Sequence, residues 1–397
     1  MVGGRGTALI RRTCLIAHVG LATQRFFNMA IKTLWYLNLA DGDYPWIEGG
    51  LYPVDFDRYR RLAETIDEGG FFGALVATWP NDPFISASFV ASYTKRMRFL
   101  VAVYARMTPA KLLAQQALTF DKFTGGRLLL NLINGRDNIM GAYGVATAHD
   151  DRYKLGEAYW RDFARFYQQG NPSNFPNTPL AIEPSQERGV ALWGAGDSAA
   201  GIAHAGALID GYLTMLRDVS RIKSKFSEAR LSAQSQGRTF QDMGALASVV
   251  VRRTKREAEE LFYVMFQRTG VDRIAAKLDA AVIRRTAGKQ TLASFEAPDP
   301  QRRGWVKALL SGRLPRLEEL RLEHALYAGI TAWSPLDIFN AGSSAVYFVG
   351  EPDAVAGNIK IYHDEAGLSA LILSGWPLID EARNVGTLLI PRLKEIV

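Results

Sequence analysis

The chain has 397 residues, 48% of them hydrophobic and 22% charged, which is enough for a large buried core without a partner. The formal charge of +7 permits an anionic partner, but the basic residues are mixed with acids, as in segment 252–260, so we expect neither nucleic acid nor a membrane surface. The single cysteine, Cys14, excludes an internal disulfide and a cysteine-cluster metal site, and the cytoplasm is the expected location.

The first residues only weakly resemble a targeting segment. Arg11 and Arg12 precede a short apolar run, 13–22, that contains His18 and no clear small-residue cleavage site. We expect residues 1–28 to be a poorly ordered or misassigned extension, and residues 29–397 to form a single domain. No stretch is long and apolar enough to span a bilayer.

Strand and helix patterns alternate along the rest of the chain. The predicted strands cover residues 31–39, 72–77, 98–104, 127–133, 190–193, 209–215, 245–251, 345–349 and 368–374, and the predicted helices cover residues 57–68, 83–93, 110–123, 153–168, 198–205, 218–235, 255–267, 353–364 and 381–389. Repeated strand–helix units imply a parallel sheet with right-handed crossovers. Eight units fit this length better as a closed barrel than as an open sheet, so the sequence predicts an α/β fold, the TIM (β/α)8 barrel.

Residues 270–340 interrupt this alternation. The segment is rich in arginine, contains Pro298, Pro300 and Pro315, and includes a predicted helix over residues 317–328. We interpret it as an insertion after the seventh strand unit.

The fourth predicted strand ends in polar residues. Leu128–Ile133 is too continuously apolar for a strand with one wet face, so both faces should be covered. Asn131 and Asn134 lie near its end. Since ligands of α/β proteins bind at the carboxyl ends of strands, we expect both near a ligand.

Two helix starts are candidate phosphate sites. His149 precedes Asp150, Asp151 and Tyr153 at the start of a predicted helix; the alternatives are a simple helix cap and a ligand phosphate held near Tyr153. Gly194–Ser198 joins a strand to a helix, and the alternatives are a plain turn and a loop whose backbone amides and Ser198 hydroxyl contact phosphate.

Tryptophans recur near strand ends, at Trp35, Trp79, Trp193, Trp333 and Trp376. Burial in the core is the default for each. Trp79 and Trp376, which follow strands in polar loops, are predicted to line a cavity for a planar or apolar ligand. Acidic residues have no metal-ligand spacing, so we expect no metal.

Several blocks of the sequence resemble the bacterial luciferase-like flavin-dependent monooxygenases, and most closely the alkanesulfonate monooxygenase branch. The resemblance covers most of residues 31–391 and rests on WYLNLADGDY (35–44) and the blocks 53–78, 99–137, 149–160 and 371–391. It implies a TIM barrel that binds reduced FMN (FMNH2) supplied by a separate NAD(P)H:flavin reductase, with O2 as co-substrate, and a homo-dimer or homo-tetramer. The insertion would match a mobile lid that excludes water.

The residue pattern and the resemblance together predict the site residues. The cofactor site would comprise Asn131, Asn134, His149, Tyr153, Gly194, Ala195, Gly196, Asp197 and Ser198, with Asn134 beside the flavin ring and with Tyr153 and the 194–198 loop on the phosphate. The substrate pocket would comprise Trp35, Trp79, Asp82, Ser248 and Trp376. No catalytic residue is predicted.

The departures from the sulfonate branch concern the substrate. The arginine and histidine of the seventh strand are replaced by Leu246 and Ser248, the first-strand histidine by Ala40 or its neighbour, a cysteine by Asp82, and the last-strand tyrosine by Trp376. Lost cations remove the natural partners of a sulfonate. The first hypothesis is therefore a two-component FMN-dependent monooxygenase for an apolar or aromatic small molecule. The alternatives are an alkanesulfonate monooxygenase releasing sulfite, a non-catalytic flavin-binding paralogue and deazaflavin-dependent hydride transfer.

Overall fold

A closed barrel of parallel strands organises the computed structural model, which describes residues 31–78, 81–135, 137–145, 149–170 and 182–396. The strands are β1 (Lys32–Leu37), β2 (Gly73–Val76), β3 (Arg98–Tyr104), β4 (Leu128–Ile133), β5 (Leu192–Ala195), β6 (Gly211–Met215), β7 (Asp242–Val251), β8 (Arg321–Glu323), β9 (Leu326–Ala328), β10 (Val346–Gly350) and β11 (Ala370–Ser374). Strands β1 to β7 lie side by side in chain order, and β11 closes the barrel by pairing with both β1 and β7. The predicted TIM barrel is confirmed.

The strands are apolar on both faces because each face is covered. The inward positions carry Leu34, Leu75, Leu100, Ala102, Leu129, Trp193, Leu213, Ala370 and Ile372. The outward positions pack against the surrounding helices in a larger core cluster. Burial on both faces explains the continuous apolar run of β4.

The helices fill the outer layer. Their bounds are α1 (Phe56–Glu68), α2 (Pro83–Ala91), α3 (Ala110–Thr124), α4 (Asp137–Ala142), α5 (His149–Gln168), α6 (Ala199–Leu208), α7 (Val219–Ser235), α8 (Lys255–Thr269), α9 (Val271–Arg285), α10 (Pro300–Leu310), α11 (Leu317–Leu320), α12 (Pro352–Ala366), α13 (Leu378–Asn384) and α14 (Ile390–Ile396). Local signals set several ends: Thr254 and Glu257 form a capping box at α8, and Gly125 ends α3 with a φ of 67°. None of the helices described is long and apolar enough to cross a membrane.

The insertion follows the seventh strand unit, as predicted, and contains α9, α10, α11 and a hairpin. The predicted helix over 317–328 is wrong beyond Leu320. Strands β8 and β9 form an antiparallel pair, and β9 also pairs antiparallel with β10. Leu326, Tyr327 and Ala328 are all buried, and pairing with β10 satisfies their backbone groups. Tertiary pairing therefore overrides local helix propensity here. The extension predicted for residues 1–28 lies outside the described residues, and the single-domain boundaries stay a prediction.

Candidate active site

A cavity of about 390 Å³ lies at the carboxyl ends of β4, β5 and β6, and we refer to it as the strand-end cavity. Its lining comprises Leu75, Asn131, Leu132, Ile133, Asn134, Gly135, Tyr153, Ala195, Gly196, Asp197, Leu213, Thr214, Met215, Leu246 and Ile372. The structure thus brings together six of the residues predicted for the cofactor site. They come from β4, α5 and the loop after β5, and only the closed barrel makes these segments neighbours.

Asn134 presents an unsatisfied acceptor at this cavity. Its Oδ1 atom is buried and has no hydrogen-bond partner in the part of the chain that the structure describes. A Cβ atom at Gly156 would lie 2.7 Å from that oxygen, so only glycine leaves room for the Asn134 amide. Because buried polar atoms are normally paired, this amide suits a ligand that presents N–H groups.

The loop after β5 leads into the capped start of α6. Ser198 caps α6, its hydroxyl accepting a hydrogen bond from the backbone N–H of Gly201 at 3.1 Å. The Tyr153 hydroxyl lies 3.4 Å from the Ser198 hydroxyl, so the two predicted phosphate contacts converge. The Tyr212 hydroxyl donates a hydrogen bond to the Gly196 carbonyl at 2.6 Å and so holds the loop against β6. Unpaired amides and the helix dipole make such a helix start favourable for an anion.

Charged side chains lie in pairs around this loop. Asp197 lies between two cations, with Arg217 Nη2 at 2.9 Å and Lys225 Nζ at 3.8 Å from its carboxylate oxygens. Arg217 also donates to the Ala341 carbonyl at 2.5 Å, which ties the insertion to the loop. Lys225 Nζ also lies 3.2 Å from the Glu228 carboxylate, so two cations face two carboxylates and these four groups leave no surplus of charge.

His204 on α6 adds no positive charge beside this loop. Its ring lies 5.6 Å from the Tyr153 ring, and burial lowers its pKa below the ordinary 6.5, while the nearby Glu157 carboxylate acts in the opposite direction. The imidazole is therefore neutral at physiological pH. It supports Tyr153 by packing rather than by charge.

Gly194 and His149 stand apart from the other predicted cofactor residues. Gly194 lies within β5, where a Cβ atom would approach Ile209 and the Leu132 carbonyl to 3.3 Å, so its small size serves strand packing. His149 is the first residue of α5, and its side chain lies outside the described part.

The ends of β7 and β11 form the opposite side of the barrel mouth. Ser248 is fully buried, donates to the Ser344 carbonyl at 2.8 Å and lies 3.0 Å from the Ser374 hydroxyl. Leu246, two residues earlier on β7, lines the strand-end cavity. Both positions therefore face inward and are uncharged.

Aromatic rings cover the mouth next to β1. The Trp333 ring contacts the rings of Tyr36 at 4.6 Å and Trp376 at 5.3 Å, and Trp376 also meets Trp46 at 5.6 Å. Burial raises the pKa of Tyr36 to about 12, so its phenol stays protonated.

Tyr36, and not its neighbour Trp35, is the β1 side chain at this mouth. Trp35 packs outward against Phe71, at 5.6 Å, and the structure does not bring it to the cavity. Successive side chains of a strand point to opposite faces, so the inward position of Leu34 places Tyr36 inward as well. Sequence reasoning missed Tyr36, although this period of two was available once the inward face was known.

Asp82, another predicted pocket residue, does not line the strand-end cavity. Asp82 caps α2 by accepting from the Ile85 amide at 2.9 Å, and it lines a second cavity of about 300 Å³ together with Asn81, Tyr104 and Tyr143. Trp79 lies outside the described residues. Within the described ranges, no group of three or more His, Cys, Asp or Glu side chains is arranged to hold a metal ion.

Known proteins share this architecture. The family model described as luciferase-like monooxygenase matches residues 43–368. The fold is similar to that of DmoA from Hyphomicrobium sulfonivorans (17% identity, TM-score 0.66, covering 93% of this chain and 88% of that one). It is also similar to that of EDTA monooxygenase (EmoA) from Chelativorans sp. BNC1 (16% identity, TM-score 0.65, covering 92% of this chain and 94% of that one).

A third similar structure contains a flavin. It is the oxygenating constituent of 3,6-diketocamphane monooxygenase from Pseudomonas putida in complex with FMN (15% identity, TM-score 0.61, 91% of this chain and 98% of that one). At these identities the structural likenesses establish the fold, and they do not single out the alkanesulfonate branch. The family match spans most of the chain, so this protein belongs to the luciferase-like monooxygenases, which are flavin-dependent oxidoreductases.

Proposed function

We propose that this protein uses reduced FMN, delivered by a separate flavin reductase, and O2 to oxygenate a small uncharged organic molecule. The observation that carries the proposal is the strand-end cavity, which is lined by Asn134, whose Oδ1 has no partner among the described residues, and by the loop that leads into α6. An isoalloxazine ring offers N–H groups to the amide, and the FMN phosphate suits the helix start. A cytoplasmic location and a homo-dimer or homo-tetramer belong to the same proposal.

Each set of residues has a separate task. Reduced FMN, when bound, supplies the electrons that activate oxygen. Tyr153, Ser198 and the amides after Gly196 hold the phosphate, while Asn131 and Asn134 orient the ring. The insertion, tied to the loop through Arg217 and Ala341, closes the site and excludes water.

The substrate pocket favours a neutral molecule. We place the substrate between Leu246 and Ser248 of β7 and Trp376, which follows β11. A sulfonate buried there would lack a cationic partner, because Leu246 and Ser248 occupy the inward positions of β7. This supports an apolar substrate over the alkanesulfonate alternative. Trp79 and Asp82 remain predicted pocket residues.

Reconstitution tests the proposal. Purified protein is expected to bind reduced FMN at micromolar concentrations under anaerobic conditions, and mixing with oxygen should give a slower flavin reoxidation than free FMNH2 shows. Absence of reduced-flavin binding would contradict the proposal. Binding without any effect on oxygen consumption would indicate a non-catalytic flavin-binding protein, and sulfite release from octanesulfonate would indicate the alkanesulfonate reaction.

Replacing Tyr153 by phenylalanine should weaken FMN binding about tenfold, the usual loss for one hydrogen bond to a charged group. Riboflavin, which has no phosphate, should bind the variant and the wild type equally well. Fluorescence quenching of each flavin gives both dissociation constants. An equal loss for the two flavins would place Tyr153 at the ring instead of the phosphate.

A further inference from the structure

We propose that the substrate is a planar, uncharged aromatic molecule with one oxygen acceptor, bound by the rings of Trp333 and Trp376. This inference rests on the proposed function, since it names the substrate class of the same site. It makes Trp333, a residue of the insertion, a determinant of specificity.

Trp333 is the exposed member of a cluster of aromatic rings. Tyr36, Trp46, Trp333 and Trp376 form a continuous series of ring contacts with centroid distances between 4.6 and 5.6 Å. Trp46 and Trp376 are at least nine-tenths buried, whereas Trp333 is 39% exposed. Because the other rings fix one side of Trp333, its remaining surface is available to a ligand, and planar aromatic molecules pack best on such a surface.

The cluster adjoins the strand-end cavity. Tyr36 is the direct partner of Leu75 across β1 and β2, and Leu75 lines that cavity. On the other side, Ile372 lines the cavity and Ser374 follows it at the inward end of β11. A molecule held by the rings therefore lies beside the proposed flavin site.

Hydrogen bonds hold the Trp333 turn in place. The Thr331 hydroxyl accepts from the Ser334 amide at 3.0 Å, and the Ser334 and Ser344 hydroxyls lie 3.2 Å apart. Ser248 on β7 then donates to the Ser344 carbonyl at 2.8 Å. The barrel thus fixes the turn that carries Trp333, so the ring is pre-positioned for a ligand.

Trp376 supplies the polar part of the specificity. Its indole N–H is buried and finds no acceptor among the residues that the structure describes. Leaving a buried donor unpaired costs about 1–3 kcal/mol, so a ligand oxygen that accepts from it gains affinity. The groups known at this mouth, Leu246, Ser248 and Ser374, carry no charge, which favours a ketone or ether oxygen over a carboxylate or sulfonate.

Three probes separate the parts of this proposal. Acetophenone has a planar ring and an acceptor, ethylbenzene has the ring without the acceptor, and cyclohexyl methyl ketone has the acceptor without a planar ring. Calorimetric titration of each probe into FMN-loaded protein gives its dissociation constant. Acetophenone is expected to bind most tightly.

The variants should affect different probes. Trp376→Phe keeps a ring but removes the N–H, so acetophenone should bind about fivefold more weakly while ethylbenzene is unchanged. Trp333→Ala should weaken both aromatic probes about three- to tenfold and leave cyclohexyl methyl ketone unaffected, and Trp333→Phe should restore most of the loss. Trp160 on α5 is another buried tryptophan whose indole N–H has no acceptor among the described residues. Trp160→Phe is therefore the matched control and should leave the affinity for all three probes unchanged.

The outcomes distinguish the two proposals. Failure to bind FMN would reject the proposed function. Normal FMN binding with no probe bound, with equal affinity for acetophenone and cyclohexyl methyl ketone, or with no effect of Trp333→Ala would overturn the substrate class alone. Thermal denaturation checks each fold; Trp333→Leu, which keeps apolar area without a planar ring, replaces the alanine variant if that variant unfolds.

Discussion

Replacing Gly196 by alanine is expected to weaken FMN binding at least about 100-fold, which corresponds to about 2.7 kcal/mol. A Cβ atom at this position would lie 2.3 Å from the backbone carbonyl of Gly201 in the first turn of α6. Backbone atoms cannot rotate away as a side chain can, so the loop must leave the helix start. The phosphate would then lose the amides, and Tyr212 would lose its contact with the Gly196 carbonyl.

Gly304→Ala is the matched control for this substitution. Gly304 lies inside α10, and a Cβ atom there meets no atom within 4 Å. Alanine at an open helical position is expected to be neutral or slightly stabilising. Fluorescence titration with FMN should therefore give the wild-type affinity for Gly304→Ala. FMN affinity within about threefold of wild type for Gly196→Ala would show that this loop does not hold the phosphate.

Removing the Arg252 side chain is expected to lower the free energy of unfolding by about 3 kcal/mol. Arg252 forms a bidentate salt bridge with Glu381, whose side chain is 2% exposed. This pair joins the end of β7 to α13. Arg252→Ala would leave the carboxylate buried without its cation. Urea denaturation measures the loss, and Arg256→Ala, which removes an arginine that is 86% exposed, should change the stability little.

The loss of stability in Arg252→Ala should depend on pH. Burial already raises the pKa of Glu381 above its ordinary 4.5, although Arg252 acts in the opposite direction. Without Arg252 that pKa rises further, so between 4.5 and the raised value the folded state binds more protons than the unfolded state. Stability of Arg252→Ala relative to wild type should therefore fall as pH rises above about 4.5. A pH-independent difference would mean that the carboxylate gains another partner.

Most of the barrel could be predicted from local patterns. The barrel strands carry short apolar runs, and several helices have a start or stop signal such as Asp82, Ser198 or Gly125. The 317–328 segment could not be predicted in this way, because its helical pattern is local whereas its pairing with β10 joins residues far apart in the chain. The positions of Asn131 and Asn134 near the end of β4 were also predictable, because the local apolar run defines where that strand ends.

The sequence by itself determined the alternation of strands and helices, the helix start at Ser198 and the uncharged residues Leu246 and Ser248 on β7, because each depends on residues close together in the chain. Only the tertiary structure decided which side chains share the site. Closure of β11 on β1 placed Tyr36 inward and Trp35 outward, and folding of the insertion over the mouth brought Trp333 to Trp376. These contacts depend on strand facing and on chain segments about 40 to 340 residues apart, which periodicity along the sequence does not specify.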